Sequence, residues 1–521
     1  MRYRSPEETT LDIESTASRW KWGWPLFLAV IVGPLAVAAP AETAHKAGDV
    51  VLETGTTKTP EGEPLRYELG TLYVPENRSV PGSRVIGIGF ARIRAQRPTG
   101  APPIFVLPGG PGRSYLNAFT DSDAAARTQL EGILPYRAAG DVVVVDQRGY
   151  SPRGEILTMP QVPEPLDRPR SLAAEAEAMV KLARDAVAAH PGKDLSGYNV
   201  IEYAEDVNDL RRALGYRSIT LSGQSFGSQW SFAVMRRHPE IVARALLSGV
   251  EPLDNSYDMP SHVFAALQRI AWDADQAPAL QPYLPKGGVM AALRAVRDRL
   301  ASGPIQVSVK NGKTGQSQTV TLGLEDFQGS LLRAPPSWPA FVLSLYHRHY
   351  DDWAREVIER RQDISSPVRI IEPLIDSSLS VSASRGHLLR TDPGTEFLGR
   401  WDFDALMAST EAWPTPDVGD ALRLPVPNPV PVVFFHGDWD TSTPIDNTLG
   451  ILPYFPNGKV VLVHRGVHHT RGPVFAQEPA VLDQVIAFLK TGDTQKLPAT
   501  VSLPVPDFEV PPFPAPSAQV P

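Results

Sequence analysis

The sequence contains residues of the types and order that covalent catalysis by a serine requires. Ser225 lies between two glycines in LSGQSFGSQ, residues 221 to 229. A serine hydroxyl attacks a carbonyl at neutral pH only when a base takes its proton, so an active Ser225 needs a histidine and usually a carboxylate that orients the histidine. Candidates for both follow later in the chain, at Asp438, Asp440, His464, His468 and His469.

The same chemistry requires hydrogen-bond donors for the oxyanion. Phe226 follows Ser225 directly and offers its backbone N–H. The glycine-rich segment PGGPG, residues 108 to 112, follows an apolar run and offers a second N–H through Gly110. The two glycines that flank Ser225 leave room for the tight turn that would raise its hydroxyl above a sheet.

The segments that carry these residues predict a parallel sheet. Four short apolar runs rich in β-branched residues end in glycine-containing loops, as strands buried on both faces do. They are PIFVLPG (103 to 109), DVVVVDQRG (141 to 149), ITLSG (219 to 223) and PVVFFHGD (431 to 438). Two earlier segments alternate apolar and polar positions, which predicts half-buried antiparallel strands at 67 to 77 and 83 to 95.

Helices are predicted on both sides of the serine. Residues 199 to 215 have apolar positions at helical spacing and end at Gly215. A second helix begins at the serine itself, within QSFGSQWSFAVMRRHPE. A strand, a sharp turn and a helix around Gly-x-Ser-x-Gly form the context of a nucleophile elbow.

The pattern divides the chain into five parts. Residues 1 to 45 precede a first core part at 46 to 251, a mainly helical cap insertion at 252 to 427, a second core part at 428 to 492 and a proline-rich tail at 493 to 521. Within the cap, helical spacing predicts helices at 289 to 301 and at 338 to 361, the second rich in aromatic residues that pack inside the cap. Between these helices, the sequence predicts a hairpin around Asn311-Gly312 or the Gly315 turn, and the tail is predicted to be an extended arm.

Composition excludes several functions. The 521 residues have a net charge of -8 and no basic stripe, which argues against nucleic acid as a partner. There is no cysteine, which excludes a thiolate nucleophile and a zinc-cysteine site. Residues 22 to 41 are uncharged and end in small-x-small sites, which predicts a secretory signal peptide or an uncleaved membrane anchor, and an exported protein.

The motifs together resemble a known family. PGGPG, DQRG (146 to 149), GQSFG, DWDTSTP and GVHH occur in the order and approximate spacing of the α/β-hydrolase fold peptidases of the proline iminopeptidase and tripeptidyl aminopeptidase type. The resemblance covers most of residues 65 to 490. It implies the α/β-hydrolase fold, with a mostly parallel sheet flanked by helices and a large, mainly helical cap.

The resemblance also implies roles for individual residues. Ser225 is the expected nucleophile, Asp440 the acid in the Asp-x-x-Thr-Pro pattern, and His469 the base. His468 stands where the family often has glycine, so His468 is an alternative base, as Asp438 is an alternative acid. His464 lies in an apolar run and is expected to be buried structure. In DQRG, a pair between Asp146 and Arg148 is expected to hold the loop beside the oxyanion hole.

These features predict an exported serine hydrolase that needs no metal or organic cofactor. The expected substrate is a short peptide, cleaved at its N-terminal residues, and membrane contact is expected only if the N-terminal segment is retained. An aminopeptidase also needs an acid for the substrate's ammonium group, and Glu251 and Asp254 are two of several candidates. Two alternatives remain open, an esterase for small esters or lactones and a non-catalytic envelope binding protein on a hydrolase scaffold.

Overall fold

The computed structural model describes residues 45–310, 315–400 and 403–516. Most of the predicted signal peptide or anchor, the turn at Asn311-Gly312 and the end of the tail lie outside the described residues. Within the described ranges, no helix is both long enough and apolar enough to cross a membrane.

One large sheet organises the described part of the chain. The strands in chain order are β1 (Val50–Lys58), β2 (Pro64–Pro75), β3 (Val85–Ile93), β4 (Ile104–Leu107), β5 (Val142–Val145), β6 (Thr158–Met159), β7 (Ile219–Ser225), β8 (Val242–Val250), β9 (Ile305–Lys310), β10 (Ser317–Leu322), β11 (Val368–Arg369), β12 (Val432–Gly437), β13 (Gly458–His464) and β14 (Thr500–Ser502). Ten of them form the sheet, in the order β1-β2-β3-β5-β4-β7-β8-β12-β13-β14.

The sheet is mixed, and its parallel part carries the motifs. Strands β1, β2 and β3 pair antiparallel, and β3 joins β5 antiparallel. From β5 to β14 every neighbouring pair is parallel. All residues of β4, β5 and β12 are buried, as the apolar sequences of β4 and β5 and of the first four residues of β12 predict. The predicted mostly parallel sheet is therefore confirmed.

Helices cover both faces of the sheet. In chain order they are α1 (Asn117–Thr120), α2 (Ala124–Ile133), α3 (Leu172–Ala189), α4 (Val200–Ala213), α5 (Phe226–Arg237), α6 (Pro260–Ala274), α7 (Gly288–Ala301), α8 (Leu324–Gln328), α9 (Trp338–Tyr346), α10 (Asp351–Gln362), α11 (Ile371–Leu379), α12 (Ala383–Thr391), α13 (Thr395–Leu398), α14 (Asp404–Ser409), α15 (Asp420–Arg423), α16 (Ile445–Ile451), α17 (Arg471–Gln477) and α18 (Pro479–Thr491). Helices α3, α4 and α5 pack in the core on one face, and α2 and α18 pack on the other.

The chain between β8 and β12 contains helices α6 to α15 and the antiparallel hairpin of β9 and β10. Much of this segment has its own apolar cluster, in which Trp338 and Trp353 are fully buried. The single helix predicted at 338 to 361 is two helices, α9 and α10. Arg348 has a φ of 67° between them, which a right-handed helix does not accommodate.

The proline-rich tail is extended, and it connects the sheet to the helices above it. Strand β14 adds to the open edge of β13. Further along, Phe508 packs against Trp439 with ring centroids 6.4 Å apart, and the Glu509 N–H donates to the Pro336 carbonyl at 2.9 Å. Phe513 stacks on His349 at 3.7 Å. The tail thus contacts both the sheet edge and the inserted helices.

Candidate active site

Ser225 stands on a sharp turn between β7 and α5. Its φ of 56° and ψ of −132° lie in a region that L-residues rarely adopt, at a cost of about 1–3 kcal/mol. A Cβ at Gly223 would lie 2.2 Å from the Gly227 carbonyl oxygen, and one at Gly227 would lie 2.0 Å from that of Leu107. Only glycine fits at these two positions. The Ser225 side chain makes no capping bond to its own helix, and the residue is half-buried.

The glycine-rich loop runs beside this turn. A Cβ on Gly109 would lie 3.1 Å from the Ser225 Cβ and 3.7 Å from its Oγ. The next residue, Gly110, has a φ of 110°, which favours glycine. Phe226 begins α5, and the first N–H groups of a helix have no partner inside the helix. The loop and the helix start therefore lie where oxyanion donors are needed.

Gln147 holds the glycine-rich loop in place. Its side-chain amide donates to the carbonyls of Pro108 at 3.1 Å and Gly109 at 2.8 Å, and its Oε1 accepts from the Gly112 N–H at 2.6 Å. Gln147 is fully buried. Sequence reasoning missed this residue, although it is the second residue of the DQRG motif.

The expected pair between Asp146 and Arg148 is wrong. Asp146 accepts from the hydroxyls of Ser114 at 2.8 Å and Ser151 at 2.7 Å, and burial raises the pKa of its carboxyl to about 7. Arg148 points elsewhere and binds Asp206 through two nitrogens, at 2.8 and 2.7 Å. Arg148 lies in a turn and does not continue the β5 strand, so the strand alternation that would place it on the same side as Asp146 does not apply.

Asp440 follows β12 and is almost completely buried. Its Oδ1 accepts from the N–H groups of Ser442 and Thr443, each at 2.9 Å, and its Oδ2 accepts from the Thr443 hydroxyl at 2.7 Å. Burial opposes ionisation, but the charge of His468 and the hydrogen bonds of His436 and His468 hold the pKa of this carboxyl well below its usual range. Asp440 is therefore an ionised acceptor.

The structure corrects the choice of histidine, because His468 and not His469 contacts Asp440. The His468 Nδ1 lies 3.0 Å from Asp440 Oδ2 and 3.2 Å from Oδ1. Gly249 leaves room for this ring, since a Cβ there would lie 2.8 Å from the His468 Cε1. The side chain of His469 is directed to Gln224, whose amide nitrogen contacts its Nδ1. The histidine beside the carboxylate is therefore one residue earlier than predicted.

A third histidine lies behind the carboxylate. His436 is fully buried, and its Nε2 lies 2.5 Å from the Thr443 carbonyl oxygen and 3.5 Å from Asp440 Oδ2. The other nitrogen lies 2.5 Å from the Thr448 hydroxyl. Because a carbonyl only accepts, Nε2 carries a hydrogen. His436 thereby fixes Thr443, which in turn holds Asp440.

Asp438 has a separate partner. It lies 2.8 Å from the His464 Nδ1, and it also accepts from the Arg465 N–H at 2.8 Å. The expectation that His464 is buried structure is wrong, because 40% of its side chain is exposed. The structure therefore places both residues in a surface pair apart from Asp440.

Of the two acids considered for a substrate amine, Asp254 has a structural role. Its carboxylate accepts from the N–H of Ser382 at 2.5 Å and from the Ser382 hydroxyl at 2.7 Å, at the start of α12. Glu251 is 1% exposed, and its N–H donates to the Ser228 hydroxyl at 2.9 Å. Across the described ranges, no group of three or more His, Asp or Glu side chains is arranged to hold a metal ion.

Two family models match the sequence. One, described as alpha/beta hydrolase fold, matches residues 102–281, and the other, described as TAP-like protein, matches residues 401–501. The first match agrees with the sheet order and with the turn at Ser225. The chain has the α/β-hydrolase fold. No sequence among the curated proteins matches this α/β-hydrolase-fold chain.

The chain is also similar to several solved structures. A serine hydrolase from the polyaromatic hydrocarbon-degrading bacterium Cycloclasticus zankles is 11% identical, with 85% of this chain and 100% of that chain covered and a TM-score of 0.33. A thermophilic esterase from Thermogutta terrifontis is 16% identical, with 81% and 98% covered and a TM-score of 0.32. A bromoperoxidase from Bacillus anthracis is 14% identical, with 81% and 99% covered and a TM-score of 0.33.

Proposed function

We propose that this chain is a serine hydrolase that forms an acyl-enzyme on Ser225. The observation that carries the proposal is the hydrogen bond between Asp440 and His468, formed by loops that follow β12 and β13. The carboxyl ends of parallel strands meet at one edge of a sheet, and Ser225 ends β7 in the same parallel set. The nucleophile, base and acid therefore follow three strands of one sheet.

In the proposed mechanism, the Ser225 Oγ attacks the substrate carbonyl carbon while the Nε2 of His468 takes its proton. Asp440 holds the hydrogen on Nδ1, which leaves Nε2 free to act as the base. The N–H groups of Phe226 and Gly110 stabilise the oxyanion. His468 then protonates the leaving group, and water hydrolyses the ester on Ser225 by the same route. These steps use side-chain and backbone groups of the chain alone.

We further propose that the substrates are short peptides, cleaved at their N-terminal residues. The TAP-like match supports this, because residues 401–501 include both Asp440 and His468. The helices inserted between β8 and β12 also support it, since a cap of this size narrows access for folded proteins. Export, membrane contact through residues 1–45 and the absence of nucleic-acid binding stay predictions from the sequence.

The test compares two substrate classes on purified protein. An aminoacyl or tripeptidyl anilide and a short-chain nitrophenyl ester are assayed with wild type and with Ser225→Ala as the blank. Anilide cleavage that disappears in Ser225→Ala supports the aminopeptidase. Ester turnover without anilide cleavage would replace the peptidase by an esterase, and no turnover of either class would contradict the hydrolase itself.

A further inference from the structure

The proposed base has a second histidine beside it that the mechanism does not use. His469 follows His468, and its Nδ1 contacts the side-chain amide nitrogen of Gln224. Gln224 directly precedes Ser225, and the same amide nitrogen donates to the His468 carbonyl oxygen at 3.3 Å. One side chain next to the nucleophile therefore makes two contacts with the loop that carries the base.

Both contacts of the Gln224 amide are hydrogen bonds when the His469 ring is neutral. Burial lowers the pKa of His469 to about 3; the charges of protonated His468, Arg113 and Arg471 act in the same direction, and the charge of Asp440 opposes them. The ring is therefore neutral at physiological pH. An amide nitrogen only donates, so the Nδ1 of His469 accepts and its hydrogen is on Nε2. The two hydrogens of the Gln224 amide are directed to this nitrogen and to the His468 carbonyl.

We propose that Gln224 and His469 are positioning residues, which set the placement of the His468 ring relative to the Ser225 hydroxyl. The inference rests on the proposed function. Asp440 and Thr443 hold the His468 Nδ1, but both lie on the loop after β12. The Gln224 amide instead connects the base loop to the turn that carries the nucleophile. The two contacts, called here the Gln224 clamp, join the chain neighbours of both reacting residues.

The clamp has a specific kinetic consequence. A displacement of about 1 Å between reacting groups can cost about 100-fold in rate, because attack needs aligned atoms. The clamp residues act through Ser225 and His468 and take no part in proton transfer. Their loss is therefore expected to lower kcat and leave KM nearly unchanged.

The experiment is a double-mutant cycle on the full chain, with kcat and KM measured on the better substrate. Gln224→Met removes the donor and His469→Leu removes the acceptor, and each is expected to lower kcat about tenfold. The double variant is expected to be no slower than Gln224→Met, since Gln224→Met already breaks the contact that His469→Leu removes. His469→Asn places an acceptor oxygen near the position of Nδ1 and is expected to restore most of kcat.

His464→Leu is the matched control, because His464 ends β13 just before this loop but pairs with Asp438. It is expected to leave kcat within about twofold of wild type. Circular dichroism checks that every variant is folded. A wild-type kcat in His469→Leu would overturn the clamp, and so would single effects that multiply in the double variant. Lack of all turnover in wild type would instead refute the proposed function, and the positioning role with it.

Discussion

Replacing Asp440 by asparagine changes which nitrogen of His468 carries the proton. In the wild type, Oδ1 accepts two backbone N–H groups, from Ser442 and Thr443. An asparagine keeps its carbonyl oxygen at this position, because an NH2 group there would face two donors. The amide nitrogen then occupies the place of Oδ2, 3.0 Å from the His468 Nδ1. It donates to Nδ1, so the His468 hydrogen moves to Nε2 and the ring cannot accept the Ser225 proton.

The size of the loss distinguishes this effect from a weakened hydrogen bond. Loss of one hydrogen bond to a charged group costs about 1.5–3 kcal/mol, or about 10- to 150-fold in rate. A wrong tautomer in a Ser-His-Asp triad costs about 10⁴-fold in kcat, or about 5 kcal/mol. We expect the larger value for Asp440→Asn, with KM nearly unchanged.

The assay is steady-state hydrolysis of the anilide and the ester, with Asp438→Asn as the matched control. Asp438 pairs with His464 away from the triad, so its asparagine variant is expected to keep kcat within about threefold. A loss under about 150-fold in Asp440→Asn would refute the tautomer argument, because a weakened hydrogen bond alone accounts for a loss of that size. An equal fall in kcat in Asp438→Asn would contradict the assignment of Asp440 as the carboxylate that orients His468.

Three other substitutions test the surroundings of the site. Gln147→Leu removes the hydrogen bonds to three backbone groups of the glycine-rich loop, and we expect kcat to fall about 100-fold with little change in KM. An unchanged kcat would show that these hydrogen bonds are not needed to position the loop. Phe508→Ala removes a tail ring that is 8% exposed and packs against Trp439, and we expect the free energy of unfolding in urea to fall by about 3 kcal/mol. The control Val505→Ala changes a half-exposed tail residue and is expected to cost under about 0.5 kcal/mol. Asp146 has its folded pKa raised to about 7, so its contribution to stability is present below about pH 4 and is lost as pH rises through about 7. The free energy of unfolding of Asp146→Asn minus that of wild type should therefore be larger at about pH 8 than at about pH 5. The same difference at both pH values would contradict the raised pKa of Asp146.

The fold was predictable because two kinds of sequence signal agree, the apolar strand runs and the glycines around Ser225. The runs that became β4 and β5 are apolar throughout and the run that became β12 is apolar up to His436, which is typical of strands buried on both faces. The turn at Ser225 was predictable because a Cβ on either flanking glycine would collide with a backbone carbonyl. The apolar runs are a local signal, whereas the glycine at 227 reflects a close contact with the Leu107 carbonyl on β4.

The remaining features depend on contacts between distant segments. The choice between His468 and His469 depends on the space at Gly249, more than 200 residues earlier. The partner of Arg148 is Asp206 on α4, which the DQRG motif does not specify. The break at Arg348 interrupts a segment whose apolar spacing still fits one helix. Periodicity reports which residues face a core, but it does not report which residues meet there.

The central claim is that Ser225 is activated by His468 and Asp440. Its most direct test is the rate of covalent labelling by a fluorophosphonate, followed by intact mass and by mapping of the modified peptide. We predict one adduct, on Ser225, that disappears in Ser225→Ala, slows about 10³-fold or more in His468→Ala and slows only about tenfold in His469→Leu. An adduct on another residue, or rapid labelling in His468→Ala together with none in His469→Leu, would contradict the account.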